Sequence, residues 1–262
     1  MAKSTALTLI DDSSKYLPAQ ADIDTVMEEL GDILSRRIFG VVTIAGGGAG
    51  VFKVLEPGAE EPSNGVQEIT GVIVSSHLMN VRWGHDYGTR KPGELPICRS
   101  MDGVTGVNQE TGETQECASC PFNQFGTDGA RKACGNKRQL YIMREGDLLP
   151  VLFALPPSAL KAFDNYRVLA SLTLRTPMCA LVTRITLKNK TSNGGSEYST
   201  PVFSAVGKLP LAEAKQMADF AKQIMAAAQR AGINADEVSD DAPPAPKGDF
   251  VQVDDEDLPF PD

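Results

Sequence analysis

Four of the chain's five cysteines, Cys98, Cys117, Cys120 and Cys134, fall within 37 residues, while Cys179 stands apart in an apolar run. Cys117 and Cys120 form a CxxC knuckle, a spacing that lets two thiolates converge on one ion. The outlying cysteines adjoin residues that permit sharp turns, Pro96 before Cys98 and Gly135 after Cys134. Four thiolates supplied by protein alone are the pattern of a closed, tetrahedral structural zinc, which leaves no open position for a catalytic water. The expected task of one such Zn²⁺ is architectural: to order a polar segment with too little apolar surface to order itself. Cys120 also precedes Pro121, an ending found around iron–sulfur clusters, which use the same four thiolates. A segment without metal is the third alternative. His77 and His85 are possible substitute ligands, although His77, inside IVSSHLMNV, reads as structural, and Cys179 reads as a buried small hydrophobe.

Around these thiols, cations alternate with aromatic rings. Arg82, Trp83, Tyr87, Arg90, Lys91 and Arg99 precede the knuckle, and Arg131, Lys132, Lys137, Arg138 and Tyr141 follow it, with Phe122 and Phe125 between. Arg184, Lys188, Lys190 and Tyr198 lie further on, near the tip of an expected hairpin, where they either line the same groove or are merely solvated. Single-stranded nucleic acid requires this combination: Lys and Arg neutralise phosphates while unstacked bases lie on ring faces. The bland alternative makes Phe122, Phe125 and Tyr141 core residues. Trp83, the sole tryptophan, ends a strand in the polar setting NVRWGHDYG and is the better stacking candidate.

The net charge of −9 does not exclude nucleic acid once its distribution is read. From Asp236 onward ten carboxylates face one cation, Lys247, so the first 235 residues are neutral; residues 82 to 190 hold 15 Lys/Arg against 10 Asp/Glu. Basic charge is therefore concentrated around the cysteines. The acidic tail ends in VDDEDLPFPD, where Asp254, Asp255, Glu256 and Asp257 lead into the apolar tip Leu258, Pro259, Phe260. A tethered polyanion beside a basic surface has a high effective concentration and competes with other anions. A tail kept only for solubility is the alternative.

Catalysis has weaker support. A nuclease-like enzyme would need clustered acids for Mg²⁺, but Asp86, Asp102, Asp128 and Asp147 each sit in turn-like settings, and only two histidines exist. The expectation is a non-catalytic protein, with a nucleic-acid enzyme carrying a four-cysteine zinc or iron–sulfur site as the alternative. A third class is an adaptor, or homo-oligomer, that grips a partner through its last helix with Met217 and Met225. No run of eighteen apolar residues spans a membrane, and the acidic N-terminus carries no signal-like stretch, so an intracellular protein is expected.

The elements that must position these groups follow from periodicity. Residues 21–40 carry a helical stripe at Val26, Leu30, Ile33, Leu34 and Ile38. FGVVTIA, GVFKVL and QEITGVIVSSHLMNVRW read as strands, the first two joined by GGGAG as a flexible hairpin in preference to a phosphate loop. RQLYIMREGDLLPVLFAL reads as a hairpin turning at EGD. PPSALKAFDNYRVLA reads as a helix capped by Pro and Ser158, with Leu160, Phe163 and Tyr166 on one face. MCALVTRITLKNK and SEYSTPVFSAVG form a second hairpin across TSNGG, and a long helix with Leu211, Ala214, Met217, Ala221, Ile224, Met225 and Ala228 on its apolar side follows. The expected fold is α+β, mainly antiparallel β: an OB-like Greek-key barrel over residues 1–235, with a zinc loop inserted at about 84–137 and a C-terminal helix at about 210–231. Residues 236–262 are expected to be a disordered acidic tail.

Two resemblances add to this reading. The tail resembles that of bacterial single-stranded DNA-binding proteins, which implies that the tip docks onto replication or recombination enzymes; Pro261 and Asp262 here extend beyond the Pro-Phe with which that family ends. From Trp83 to Tyr166, CRSMDG, CASCPFNQFG, KAC, RQLYIM and LLPVLFALPPSALKAF resemble a phage-encoded type associated with mobile-element DNA replication and recombination and with zinc-containing single-stranded DNA-binding proteins. This resemblance implies the cytoplasm of a bacterial host.

Overall fold

The structure is a computed structural model that describes residues 7–10, 13–17, 39–85, 95–129, 132–192, 195 and 197–231. The helical stripe of residues 21–38, the acidic tail, and Tyr87, Arg90, Lys91 and Arg131 lie outside the described residues.

The expected strands form. Val41–Ile44 (β1) and Phe52–Leu55 (β2) pair antiparallel across the glycine-rich turn. That turn is tied down from outside: Asn189 Nδ2 donates to Gly48 O at 2.7 Å and Gly50 N donates to Ser199 Oγ at 3.1 Å. Glu68–Arg82 (β3), Cys134–Arg144 (β7) and Val151–Leu155 (β8) are consecutive antiparallel neighbours. Leu181–Thr191 (β9) and Glu197–Lys208 (β10) form the second hairpin. The cysteine segment, which sequence periodicity left irregular, extends the same sheet with three short strands, Cys98–Ser100 (β4), Thr105–Asn108 (β5) and Thr114–Glu116 (β6).

Among the described residues all ten strands belong to one sheet, ordered β2-β1-β8-β7-β3-β4-β5-β6, with β9 and β10 branching from β3. The sheet is mixed because β1 and β8 run parallel. Its described pairings form an open sheet, where the order of the elements led to the expectation of an OB-like Greek-key barrel. The branch arises from the length of β3: one edge pairs with β7 from Gly71 to Arg82, while the other takes β9 over Glu68–Val72 and β4 over Asn80–Arg82. Gly71 sits where β7 and β9 flank β3 together, and any Cβ there would collide with the carbonyl oxygen of Met143. A bulge between Ile73 and Ser75 bends the strand between its two partners.

Each face of the sheet buries its own core. On one face Ile73, Leu140, Ile142, Phe153 and Ile185 pack beneath the helix Pro157–Val168 (α1), which contributes Ala159, Phe163 and Tyr166. Leu160 is only partly buried, and Ser158 makes no cap hydrogen bond; the N-cap position is Pro156. On the other face Val72, Val74, Tyr141, Met143 and Val182 meet Met217, Phe220 and Ala221 of the helix Leu211–Ala231 (α2). Leu211, expected on that apolar side, is 88% exposed, because the buried stripe begins at Ala214. No helix among the described residues is long and apolar enough to cross a membrane.

Candidate nucleic-acid interface and thiol corner

The last residue of β3 organises the site. Arg82 pairs with Cys98 on β4 and with Cys134 on β7, so the three residues form one row across three strands. Directly paired residues share a face of the sheet. Two positions back, Ser100, Asn80 and Asn136 form the next row on the same face. This is the face that α1 covers further along; here the knuckle covers it instead.

Cys98 and Cys134 end this row, and the thiol of Cys117 lies beside that of Cys98. Gly106 of β5 is buried beneath these last two: a Cβ built on it would lie 3.0 Å from Cys98 Sγ and 3.5 Å from Cys117 Sγ. Cys134 is buried and its thiol is pushed up to about 11, first by desolvation and then by the charges of Cys117, Cys98 and Cys120. Cys98 is raised by burial and by Cys117 and Cys120, with Arg82 opposing. Thus each outlying cysteine feels both members of the knuckle. Among the described residues, no group of three or more His, Cys, Asp or Glu side chains is arranged to hold a metal ion. Cys179 lies elsewhere, partly buried against the α2-side core.

Polar side chains hold the knuckle in place. Asn136 Nδ2 donates to Asn80 Oδ1 at 2.7 Å and to Asn123 Oδ1 at 3.0 Å. Asn123 in turn donates to Cys117 O at 2.8 Å, and Lys132 Nζ donates to Asn136 Oδ1 and Asn123 Oδ1 at 3.1 and 3.4 Å. Thr127 Oγ1 closes the loop, donating to Gln124 O and accepting from Ala133 N. The short helical turn Pro121–Asn123 then carries Phe122 outward. Sequence reading missed these asparagines, since an isolated Asn in a strand or loop carries no periodic signal.

The expected interface residues divide into three groups. Arg82 lies over the ring of Phe122, with 4.0 Å between guanidinium carbon and centroid, and Lys132 Nζ lies 5.1 Å from the centroid of Phe125. Arg138 shares this face of the sheet but turns toward α1, 5.8 Å from the Phe163 centroid and 3.7 Å from Asp164. On the opposite face Trp83 packs half-buried on Met79 and Val81, and Lys137 is 3% exposed. Tyr141 is 2% exposed in the α2-side core, where Phe39 and His77 contact its ring, so it offers no surface for a base. Arg99, paired with Val81, also belongs to that face.

The third group is remote. Lys188 and Lys190 are exposed and pair with Thr200 and Tyr198 toward the tip of the β9–β10 hairpin. That tip projects beyond the Glu68 end of β3, whereas the thiols sit at the Arg82 end. The 15 residues of β3 span about 46 Å when extended, so the two basic groups flank the sheet and do not form one patch. Arg184, nearer the middle, contacts Glu68 at 3.7 Å.

Of the acids considered for metal catalysis, Asp86 lies outside the described residues, and Asp102 and Asp147 do structural work. Asp102 Oδ1 accepts from Ser100 Oγ, Val104 N and Thr105 N, which shapes the β4–β5 turn and holds its carboxyl below the usual range. Asp147 is bound to Arg144 at 2.6 Å, and the same guanidinium takes Glu56 through two bonds of 2.9 Å. Set against known proteins, the chain matches no family model, no curated protein and no solved structure.

Proposed function

We propose that the chain is a sequence-tolerant single-stranded DNA-binding protein of phage or mobile-element replication and recombination, with a structural zinc at the thiol corner and no catalytic centre. The observation that carries this reading is the connectivity β3-β7-β8-α1-β9-β10. Five strands, with a helix between the third and fourth, follow the chain order of an OB-fold, whose first-to-second and fourth-to-fifth strand loops, together with the second and third strands, bind oligonucleotides. On that reading the cysteine segment, between β3 and β7, would be the first of those loops and the Lys188–Lys190 tip, between β9 and β10, the second.

Four thiolates are the donor chemistry that zinc takes; Cys98, Cys117, Cys120 and Cys134 would hold it once drawn together, over a glycine that leaves room for two of the sulfurs. Bound there, the ion supplies cross-linking of the loop and no chemistry on a substrate. The acidic tail competes with DNA for the basic surface and recruits partner enzymes through Leu258, Pro259 and Phe260.

Titration of fluorescent oligo-dT at two salt concentrations tests the reading. Tight, salt-sensitive binding that tolerates base changes is expected, with much weaker binding to duplex. Equal affinity for duplex and single strand overturns it.

A further inference from the structure

Phe122 and Phe125 are 42% and 66% exposed, three residues apart at the tip of the knuckle loop. Single apolar side chains in water need no explanation. These two differ because each ring carries a cation, and the cations come from outside the turn: Arg82 from the end of β3 and Lys132 from the approach to β7. Both partners are positioned before any ligand arrives. Asn123, between the rings, is hydrogen-bonded to Asn136, and Lys132 is held by Asn136 and Asn123 together.

We propose that Phe122 and Phe125, with Arg82 and Lys132, form a two-ring platform on which adjacent unpaired nucleobases stack while the cations meet the flanking phosphates. This site rests on the single-strand reading above and gives it a location. Every base has a flat face that can lie on an aromatic ring, so the platform is indifferent to sequence. A purely apolar partner would strip water from Arg82 and Lys132 without pairing them. Duplex DNA keeps its bases stacked inside and offers none to the rings. Prior ordering of rings and cations lowers the entropy lost on binding.

The test compares labelled oligo-dT with an abasic oligonucleotide of the same length, using the full chain. Wild type should prefer oligo-dT. The double variant Phe122→Ala/Phe125→Ala should lose roughly tenfold or more on oligo-dT and bind the abasic strand as wild type does. Phe122→Tyr/Phe125→Tyr, which keeps both rings, should retain the preference. Should wild type bind oligo-dT tightly and the alanine variant match it, the platform is wrong while the single-strand reading stands. Equal loss by the alanine variant on both strands also overturns the platform, since it marks a disturbed loop. Wild type that binds neither strand overturns the function and the platform together.

Discussion

Asn136 and Asn80 meet across the β3–β7 pair through a hydrogen bond of 2.7 Å, although 56 residues separate them in sequence. Asn80 is 6% exposed, and its own amide donates to Gly103 O at 3.1 Å. One buried amide therefore holds β7, and through it the knuckle, while gripping the β4–β5 turn. Asn136→Ala should cost about 1–3 kcal/mol, because Asn80 Oδ1 is left buried without its donor. Urea denaturation measures the loss; an unchanged midpoint would show that the bond adds nothing.

Gly106 predicts the behaviour of the thiol corner. A methyl at this position meets Cys98 Sγ at 3.0 Å, tighter than side chains ordinarily tolerate. Gly106→Val should therefore displace the sulfurs and lower the zinc recovered per chain from about one in wild type. Metal analysis of the purified proteins decides this. A brown wild-type sample would instead identify an iron–sulfur cluster, and equal zinc in both proteins would free Gly106 of the role.

His77 should make stability depend on pH. Its imidazole is lowered to about 4 by burial and by Arg138, with Asp102 opposing, and among the described residues neither ring nitrogen has a hydrogen-bond partner. Folding thus favours the neutral ring. The unfolded chain binds the extra proton below about pH 6.5, so the stabilisation is complete above that value and is lost as pH falls toward 4, by about 2 kcal/mol at pH 5. His77→Phe should remove that part of the slope between pH 7 and pH 5. Parallel urea curves for the two proteins at both pH values would contradict it.

Lys188 and Lys190 should matter only for long strands, since they flank the sheet opposite the thiol corner. Replacing both with Ala should reduce the salt slope of binding by about 2 on a long oligo-dT, and leave a short one unaffected if the Phe122 end is the tighter site. A uniform loss at every length would place them at the primary contact.

Deleting residues 236–262 removes ten carboxylates and one lysine. Apparent affinity for oligo-dT should rise, most at low salt where the competing polyanion is least screened. Equal titrations before and after deletion would leave the tail a role in solubility alone.

Much of the fold was legible in local signals. Strands β1, β2, β3, β7, β8, β9 and β10 and both described helices follow from periodicity and turn residues that lie within a few positions of one another. β4, β5 and β6 were not, because strands of three or four residues among Asn, Gly and Thr present too short an alternation to read.

The site divides the same way. Sequence alone marked the cysteine cluster, the surrounding cations and the acidic end, since composition and spacing are properties of the chain whatever its shape. Only the tertiary structure decided that Tyr141 is core, that Trp83 and Arg82 face opposite ways, and that Arg82 reaches Phe122. A shift of one residue in register would exchange the faces of β3, and register is set by partners distant in sequence. That long-range pairing, which no local pattern encodes, selects the side chains that meet at the end of β3.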